Sequence, residues 1–304
     1  MEMSNVEAFL EAATPRLRWR SAPMDCFESP SNVWQLEKKE TVDYFSLEDL
    51  WEHYSESSAY GLAVPLRLVQ PGGKATITTQ HFVPYLSAIQ IYTSRAKTLI
   101  PSRKNAIIDR AAEAWEARPI PGVAELAQDY PCLTSLKSAE LSPSSWLSVA
   151  WYTPIDFEKC IPLLLYGPCL CFSRVCMIFL CITRYPIYQI PYHGNLKGTS
   201  ACFLTYHSIS SVFQDKILPQ CGSDGSDSDS RTVAVSPFGL ATYRMEGKLW
   251  REPPASTGSS SNSNSRRRLS DLYWAASSWL KQVGAHHPDF NFFTSHGGSA
   301  AIAR

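Results

Sequence analysis

Apolar residues recur at helical spacing in several segments of the chain, and each such segment predicts a helix. Residues 46–57 carry this pattern behind Ser46, which is followed three residues later by Asp49 as in a capping box. Residues 270–283 carry the clearest amphipathic pattern, with apolar side chains at i, i+1, i+4, i+7 and i+8. The remaining predicted helices are 5–13, with Asn5 as its N-cap, 109–117 and 123–129.

Runs of β-branched and aromatic residues between these helices predict strands. The predicted strands lie in 64–69, 75–92 (more than one strand), 143–151, 201–207 and 233–243, with 245–250 as a hairpin partner. Two Ser-rich stretches, 222–231 and 255–268, are predicted to be low-complexity mobile loops. The pattern therefore predicts an α+β fold over residues 1–304, a single domain with a mainly antiparallel sheet flanked by helices and long mobile loops.

The charge balance narrows the class of partner. The 304 residues carry 28 basic and 28 acidic side chains, a formal net charge of zero, whereas nucleic-acid binders are usually basic. We therefore expect a protein partner rather than a nucleic acid. The first residues include Glu2, Glu7 and Glu11 and no apolar run, so no secretory signal peptide is expected and the predicted location is cytoplasmic or nuclear. The nine cysteines show no paired framework.

An apolar, cysteine-rich segment between Tyr152 and Arg184 differs in composition from its surroundings. A membrane-spanning helix over 161–183 is one interpretation, although prolines interrupt it and Arg174 would lie near the bilayer centre. The same prolines argue against a second interpretation, a buried core helix. A metal site is disfavoured because the cysteine spacing does not match the paired C-x2-C pattern. A membrane anchor therefore remains an alternative that depends wholly on this segment.

The flanks of this segment indicate that it is foreign to the domain. Without residues 152–184 the chain reads SWLSVAWYPIYQIP, one continuous run typical of a core strand. Trp has the single codon TGG and Tyr codons begin with TA, so the junction after Trp151 contains a GT splice donor. An AGG codon for Arg184 would supply the AG acceptor, and excision keeps the frame. We therefore predict a retained intron or gene-model error, extruded as a loop or helix, with Trp151 and Tyr185 close in space.

Several strings spread over nearly the whole joined chain act together as a specific signature. They are YFSLEDLWE (44–52), SAYG (58–61), FVPYLSAIQ (82–90), the joined SWLSVAWYPIYQIP, ACFLTYH (201–207), PFGLATY (237–243) and HHPDFNFF (286–293). With these strings the chain resembles a plant family catalogued only as domain of unknown function 789. It departs from that family in residues 152–184 and in a short loop after Tyr92. The resemblance implies no activity, cofactor, partner or catalytic residue.

No motif in the sequence assigns a catalytic residue, a metal site or a cofactor. His286, His287 and Asp289, with His296 nearby, could ligate a metal, but adjacent histidines after a helix point in different directions and their spacing matches no standard site. Residues 206–208 (Tyr-His-Ser) lack a glycine-rich nucleophile elbow, and neighbours in a strand face opposite sides. Structural roles are therefore favoured for all of these residues.

Four serines are candidate phosphorylation sites. Ser270 follows Arg267 and Arg268, as in a basic-directed kinase site, and is the predicted N-cap of the 270–283 helix, where the helix dipole favours a phosphate. The other three lie in the acidic loop: Ser226, Ser228 and Ser230.

The expected function is a non-enzymatic interaction or regulatory module with phospho-modifiable loops, because the sequence shows no catalytic signature. One alternative is an enzyme of unrecognised type with a pocket of scattered polar residues. The other is a protein anchored to a membrane through residues 161–183. Aromatic residues make up 12% of the chain. Since they fill cores as well as interfaces, their burial decides between a core and a binding patch.

Overall fold

The structure, a computed structural model, describes residues 3–27, 40–69, 74–93, 122–153, 176–186, 202–211, 213, 231–243, 245, 250 and 261–296. Within these ranges the helices are α1 (Asn5–Ala12), α2 (Leu47–Tyr60), α3 (Val123–Asp129), α4 (Cys132–Ser135), α5 (Ser261–Gln282) and α6 (Pro288–His296). The described strands are β1 (Arg16–Arg18), β2 (Arg20–Pro23), β3 (Thr41–Tyr44), β4 (Leu62–Val69), β5 (Ala75–Thr93), β6 (Trp146–Tyr152), β7 (Cys176–Pro186), β8 (Cys202–Ser208), β9 (Thr232–Ala234) and β10 (Gly239–Tyr243).

Six of the described strands form one antiparallel sheet in the order β10-β8-β6-β5-β4, with β7 also paired to β5. The region 75–92, predicted to hold more than one strand, is the single 19-residue strand β5. Its first part pairs with β4, and its second part pairs with β6 and β7. Two small sheets, β1 with β9 and β2 with β3, complete the described pairings.

Helices cover both faces of this sheet, which confirms the predicted α+β fold with helices flanking an antiparallel sheet. One apolar cluster joins α1 and α2 to side chains such as Trp151 and Phe203. A second cluster joins α5 and α6 to Trp146 and Tyr206. Because both faces are covered, every residue of β6, β8 and β10 is buried and these strands show no polar alternation.

The N-terminal helix begins at Asn5, as predicted, but a different residue caps it. Ser4, not Asn5, is the N-cap, and it forms a full capping box with Glu7. Asn5 instead uses its amide to bond the backbone of Arg67 in β4, donating Nδ2 to the carbonyl at 2.9 Å and accepting the N–H at 2.7 Å. This tertiary contact outweighs the cap preference of Asn. The predicted cap of α2 is confirmed, since Ser46 and Asp49 bond reciprocally.

Helix α5 begins at Ser261, about two turns before the predicted start at Ser270. The prediction of a mobile loop over 255–268 is therefore wrong for residues 261–268. The predicted N-cap is also wrong, because Ser270 lies inside the helix and is half-buried. Leu269 is buried against the first cluster, so packing extends the apolar stripe beyond the segment that amphipathicity alone indicates.

The predicted strand 233–243 is two strands in different sheets. Val235 donates its N–H to Pro15 and Phe238 donates its N–H to Tyr206, so the chain between β9 and β10 bonds outside a ladder. Pro237 lies within this break and has no N–H to donate. The sequence pattern did not predict this break, because the residues on both sides of it are largely apolar.

Part of the apolar, cysteine-rich segment is a strand. Residues 176–184 lie in β7, where Ala88 of β5 pairs with Cys181, so the predictions of an extruded loop and of a helix over 161–183 are wrong for these residues. Tyr185 lies opposite Leu86, whereas Trp151 lies opposite Pro84 on the other side of β5. The strand β5 therefore lies between these two residues, and the prediction that they lie close in space is wrong. Residues 154–175 fall outside the described ranges.

Candidate functional site: a buried Ser-His-Asp-Tyr network

Ser87 lies at a bulge in the long strand β5. In the pairing with β6, Leu86 lies opposite Val149 and Ala88 opposite Ser148, so Ser87 has no residue opposite it. A bulge adds one residue to one strand and re-aims its side chain, and bulges are frequent beside functional sites. Here the extra residue directs its hydroxyl toward the start of α6.

The Ser87 hydroxyl joins two residues from the start of α6. It donates to Asp289 Oδ2 at 2.5 Å and lies 3.0 Å from His287 Nε2. The other ring nitrogen, His287 Nδ1, lies 2.6 Å from the Tyr206 hydroxyl in β8. A serine has one hydroxyl proton, so Ser87, which donates to Asp289, accepts from His287 Nε2–H. The bond to Ser87 therefore places a proton on Nε2 of the ring.

The sequence His-Pro-Asp explains how α6 presents these groups. Pro288 is the first residue of α6, a position where its missing N–H costs nothing. The carbonyl of His287 accepts the N–H of Asn291 at 3.2 Å, which places His287 at the helix start. Asp289 lies in the first turn, where the helix dipole favours a carboxylate.

All four members of the network are buried beneath aromatic rings. Ser87, Tyr206, His287 and Asp289 each have less than a tenth of their surface exposed. The His287 ring lies 6.1 Å from Trp146 and 5.6 Å from Tyr206, centroid to centroid. The indole N–H of Trp146 in turn donates to Gln90 at 2.9 Å. Hydrogen bonds among buried groups are strengthened by the low local dielectric constant, so the network holds α6 firmly on the sheet.

The connectivity differs from that of a catalytic triad. In a triad the aspartate bonds the far nitrogen of the histidine and an accessible serine bonds the near one. Here Asp289 and His287 both bond Ser87, and Tyr206 takes the far nitrogen. Both nitrogens of the ring are occupied and the hydroxyl is buried, so the arrangement fastens a helix rather than activating a nucleophile.

A second buried histidine lies on the opposite face of the sheet. His207 Nδ1 lies 2.8 Å from the carbonyl of Val235, and Nε2 lies 2.9 Å from Thr205 Oγ1. Burial lowers the pKa of His207 to about 4, the backbone bond opposes this and the nearby His53 adds to it. His207 is therefore neutral at pH 7, with its Nδ1–H donated to Val235.

A family model matches most of the chain. The chain matches the family described as Protein of unknown function (DUF789) over residues 4–120, 119–157 and 177–293. The chain belongs to the DUF789 family. The match leaves out residues 158–176, which lie inside the segment predicted to be foreign. Searches of curated proteins and of solved structures each found no match.

Neighbouring residues in two predicted sites of this DUF789 chain point in different directions, as the sequence predicts. His286 is exposed whereas His287 is buried, which confirms that the two point in different directions. Tyr206 and His207 bond to groups on opposite faces of the sheet, as neighbours in a strand must. No group of three metal-ligating side chains occurs among the described residues. The side chain of His296 falls outside them.

The predicted phosphorylation sites and the predicted membrane span of the DUF789 chain lie only partly within the described residues. Ser270 lies in the interior of α5, so the helix-dipole argument for its phosphorylation no longer applies. Ser226, Ser228 and Ser230 fall outside the described residues. Across the described part of the chain, no helix is long and apolar enough to span a bilayer.

No pattern in the sequence points to Ser87, and none gives Tyr206 a bonding role. The available signal was the His-Pro-Asp string, which is typical of a helix start with a polar side chain on either side of the proline. Nothing in the sequence pairs that string with Ser87, 200 residues away.

Proposed function

We propose that this chain is a non-enzymatic protein-interaction module, and that the outer face of α5 around Trp274 binds an acidic segment of its partner. The observation that supports this most directly is the exposure of Trp274, which has 51% of its surface accessible. Five other tryptophans of the described residues are buried, at positions 19, 51, 146, 151 and 250. Most of the described tryptophans therefore serve the core, and Trp274 departs from that rule.

The exposed side chains of α5 form one line along the helix. Arg267, Asp271, Trp274, Ser278 and Lys281 follow one another at i, i+4, i+7, i+11 and i+14, and all are exposed. Trp and Arg are the residue types most enriched among those that dominate binding energy. We call this line the α5 outer face.

The charge of the α5 outer face favours an acidic partner. Arg267 and Lys281 lie on this line, and Arg268 is exposed beside it. The line carries one carboxylate, that of Asp271, so basic groups outnumber acidic ones. An excess of positive charge around an exposed indole fits a segment that carries carboxylates or phosphates. Complementary charge raises the rate of association and disfavours basic partners.

The buried polar groups support a module rather than an enzyme. Each ring nitrogen of His287 and of His207 already lies within hydrogen-bond distance of a protein atom. Neither histidine is therefore poised to accept a proton from a substrate. Catalytic bases need an open position beside the reacting atom.

Regulation by phosphorylation remains part of the proposal. Ser226, Ser228 and Ser230 alternate with aspartates, and each phosphate would add about −1.5 to −2 charges at neutral pH. A phosphorylated acidic loop of this chain would compete with an acidic partner for the α5 outer face. Ser270 lies three residues after Arg267, so a phosphate there would pair with a basic group of the same face.

A fluorescence-anisotropy titration tests the proposed surface. The probe is a labelled synthetic peptide of residues 220–232 phosphorylated at Ser226, Ser228 and Ser230, used as a model acidic ligand. Combining Trp274→Ala with Arg267→Glu is expected to weaken binding at least about tenfold, because hot-spot truncations cost about 2 kcal/mol or more.

A matched charge reversal supplies the control. Lys74→Glu changes an exposed basic residue before β5, outside α5, and is expected to leave the affinity unchanged. Equal weakening by both changes would point to non-specific attraction. No binding to the unsubstituted chain at all would contradict the proposed acidic partner.

A further inference from the structure

The exposed side chains of α2 are acidic, in contrast to those of α5. Glu48, Glu52, Glu56 and Tyr60 follow one another at i, i+4, i+8 and i+12, and all four are exposed. Tyr60, the last residue of α2, has 69% of its surface accessible. We call these four residues the α2 outer face. It joins carboxylates to an exposed phenol ring, whereas the α5 outer face joins basic groups to an exposed indole.

The carboxylates of the α2 outer face are not used within the described part of the chain. Across the described residues, none of the three forms a hydrogen bond or an ion pair. His53 lies beside Glu56, but burial lowers the pKa of His53 and Glu56 only partly opposes this. Because His53 is therefore neutral at pH 7, the negative charge of the α2 outer face remains available to a partner.

The two outer faces lie on opposite sides of the sheet. Helix α2 packs over the face that carries Trp151, whereas Ala276 and Leu280 of α5 pack over the face that carries Trp146. The outer face of each helix is turned away from its packed face. The α2 outer face and the α5 outer face of one copy therefore cannot meet, but those of two copies can.

The groups on the two helices have complementary spacing. Along α2, Glu52 precedes Tyr60 by eight residues, a rise of about 12 Å. Along α5, Lys281 follows Trp274 by seven residues, a rise of about 10.5 Å. With the helices antiparallel and the two rings in contact, the Glu52 carboxylate therefore falls within reach of Lys281, whose side chain is long and flexible.

Asp271 selects the antiparallel direction. In that direction Glu56 meets Ser278, because each lies four residues from the exposed ring of its helix. In the parallel direction Glu56 would instead meet Asp271, and like charges in contact lower affinity. The antiparallel arrangement therefore brings the two rings together with one pair of opposite charges and without a pair of like charges.

We propose that the α2 outer face binds the α5 outer face of a second copy of this chain, so that copies assemble head to tail. This docking rests on the proposed function, in which the α5 outer face takes an acidic partner, and it identifies that partner as α2. A formal net charge of zero removes the overall repulsion that would oppose contact between copies. Because the two faces point away from each other, a pair of copies leaves one of each unfilled, and a third copy adds.

Sedimentation of the full chain tests the assembly. At about 100 μM, a concentration suited to a small interface, species larger than a dimer are expected. Raising the salt concentration from about 0.05 M to about 0.5 M should lower the mean mass, because salt screens exposed charges. A chain that stays monomeric at the lower salt concentration would overturn the proposal, and so would an assembly that stops at the dimer.

Charge reversal locates the contact. Glu52→Lys and Lys281→Glu, made separately, should each weaken the association at least about tenfold, because each places like charges in contact. Both changes in one chain restore opposite charges and should restore the assembly. Glu40→Lys, at an exposed acidic residue before β3 and outside α2, is the matched control and should have no effect. Equal weakening by Glu40→Lys and Glu52→Lys would overturn the assignment to α2.

Truncation of the two rings tests the head-to-tail order. Tyr60→Ala and Trp274→Ala change exposed residues, and each alone should weaken the association at least about tenfold. Tyr60→Ala keeps its α5 outer face and Trp274→Ala keeps its α2 outer face, so a mixture should form a one-to-one dimer and nothing larger. A mixture that stays monomeric would overturn the proposal, as would full assembly by Tyr60→Ala alone.

Peptide binding separates failure of this docking from failure of the proposed function. Tyr60→Ala leaves the α5 outer face intact, so it should bind the phosphorylated peptide of residues 220–232 at least as tightly as the unsubstituted chain does. Peptide binding by a chain that does not assemble would overturn the docking and leave the proposed function standing. Absence of both peptide binding and assembly would overturn both.

Discussion

The two faces of the sheet each bury a histidine, and the two histidines bond in different ways. His207 bonds Thr205 of its own strand and the carbonyl of Val235. His287 comes from the start of α6 and bonds Ser87 and Tyr206, which lie on two strands of the sheet. The first set of bonds holds the sheet and its adjoining loop together, whereas the second holds a helix to the sheet. Loss of the first should weaken the whole fold, and loss of the second should release α6 first.

Two buried tyrosines on opposite faces of the sheet differ in how their hydroxyl groups are bonded. Tyr206 bonds His287 on the α6 face. The buried hydroxyl of Tyr54, on the α2 face, has no hydrogen-bond partner among the described residues. Burial raises the pKa of Tyr54, as expected for a phenol removed from water. A buried unbonded hydroxyl costs about 1–3 kcal/mol, so removal of the hydroxyl should act with opposite sign at Tyr206 and at Tyr54.

The largest expected effect is the pH dependence carried by His207. Its pKa is about 4 in the folded chain against 6.5 in the unfolded chain, so between these values the unfolded state binds the extra proton. The free energy of unfolding should therefore fall as the pH drops from 6.5 to 4, by about 3 kcal/mol, and should be flat above 6.5. Urea unfolding of the protein and of His207→Gln at several pH values measures the difference.

His53→Gln serves as the control for this experiment. His53 also has a lowered pKa, caused by burial and opposed by Glu56, but it is less deeply buried. Its removal should reduce the pH dependence less than His207→Gln does. A pH profile unchanged by His207→Gln would show that the neutral histidine is not a source of the acid sensitivity.

The next effect is overpacking beneath α5. A Cβ at Gly239 would lie 2.8 Å from Ala276 Cβ and 3.0 Å from its backbone N and Cα, so Gly239→Ala forces β10 and α5 apart. Overpacking of this kind lowers the free energy of unfolding by about 1–3 kcal/mol. We expect a loss near the upper value, because the added Cβ would contact the backbone of α5. Thermal unfolding should show a clear loss of stability.

Gly284 provides the comparison for this substitution. It has φ +62° with nothing near its Cβ position, so Gly284→Ala should cost only the left-handed strain of about 1 kcal/mol. A smaller loss for Gly239→Ala than for Gly284→Ala would contradict the close packing of α5 on β10.

Removal of the bulge hydroxyl should have an intermediate effect. Ser87→Ala leaves Asp289 and His287 without a shared partner, at a cost of about 2 kcal/mol. Hydrogen exchange should show faster opening of α6 while the amides of β6 and β8 stay protected. Ser144→Ala, a half-buried serine beside the sheet, should leave α6 unchanged. Uniform loss of protection would show that α6 does not open separately.

The smallest effects are a pair of opposite sign. Tyr206→Phe removes a bonded hydroxyl and should lower the free energy of unfolding by about 1 kcal/mol. Tyr54→Phe removes an unbonded one and should leave stability unchanged or raise it by a similar amount. Chemical denaturation of both variants under one condition measures the pair. Equal losses would contradict the difference between these two hydroxyl groups.

Local chemistry made parts of the fold predictable. Ser46 and Asp49 cap α2 as expected, and Gly61, with φ +76°, ends it. The apolar stripe of α5 was recognised, but its start was not, because Leu269 extends the helix through a contact with the core. The bulge at Ser87 was not predictable, because a bulge depends on the partner strand as much as on its own sequence.

The sequence by itself determined the class of fold, the family and the alternation that sends Tyr206 and His207 to opposite faces of the sheet. These follow from spacing along one chain segment, which short-range geometry controls. Only the tertiary structure decided that Ser87 meets His287 and that Asn5 bonds the outer edge of β4 at Arg67. Those contacts join segments tens to hundreds of residues apart, and their partners are chosen by packing, which no local pattern encodes.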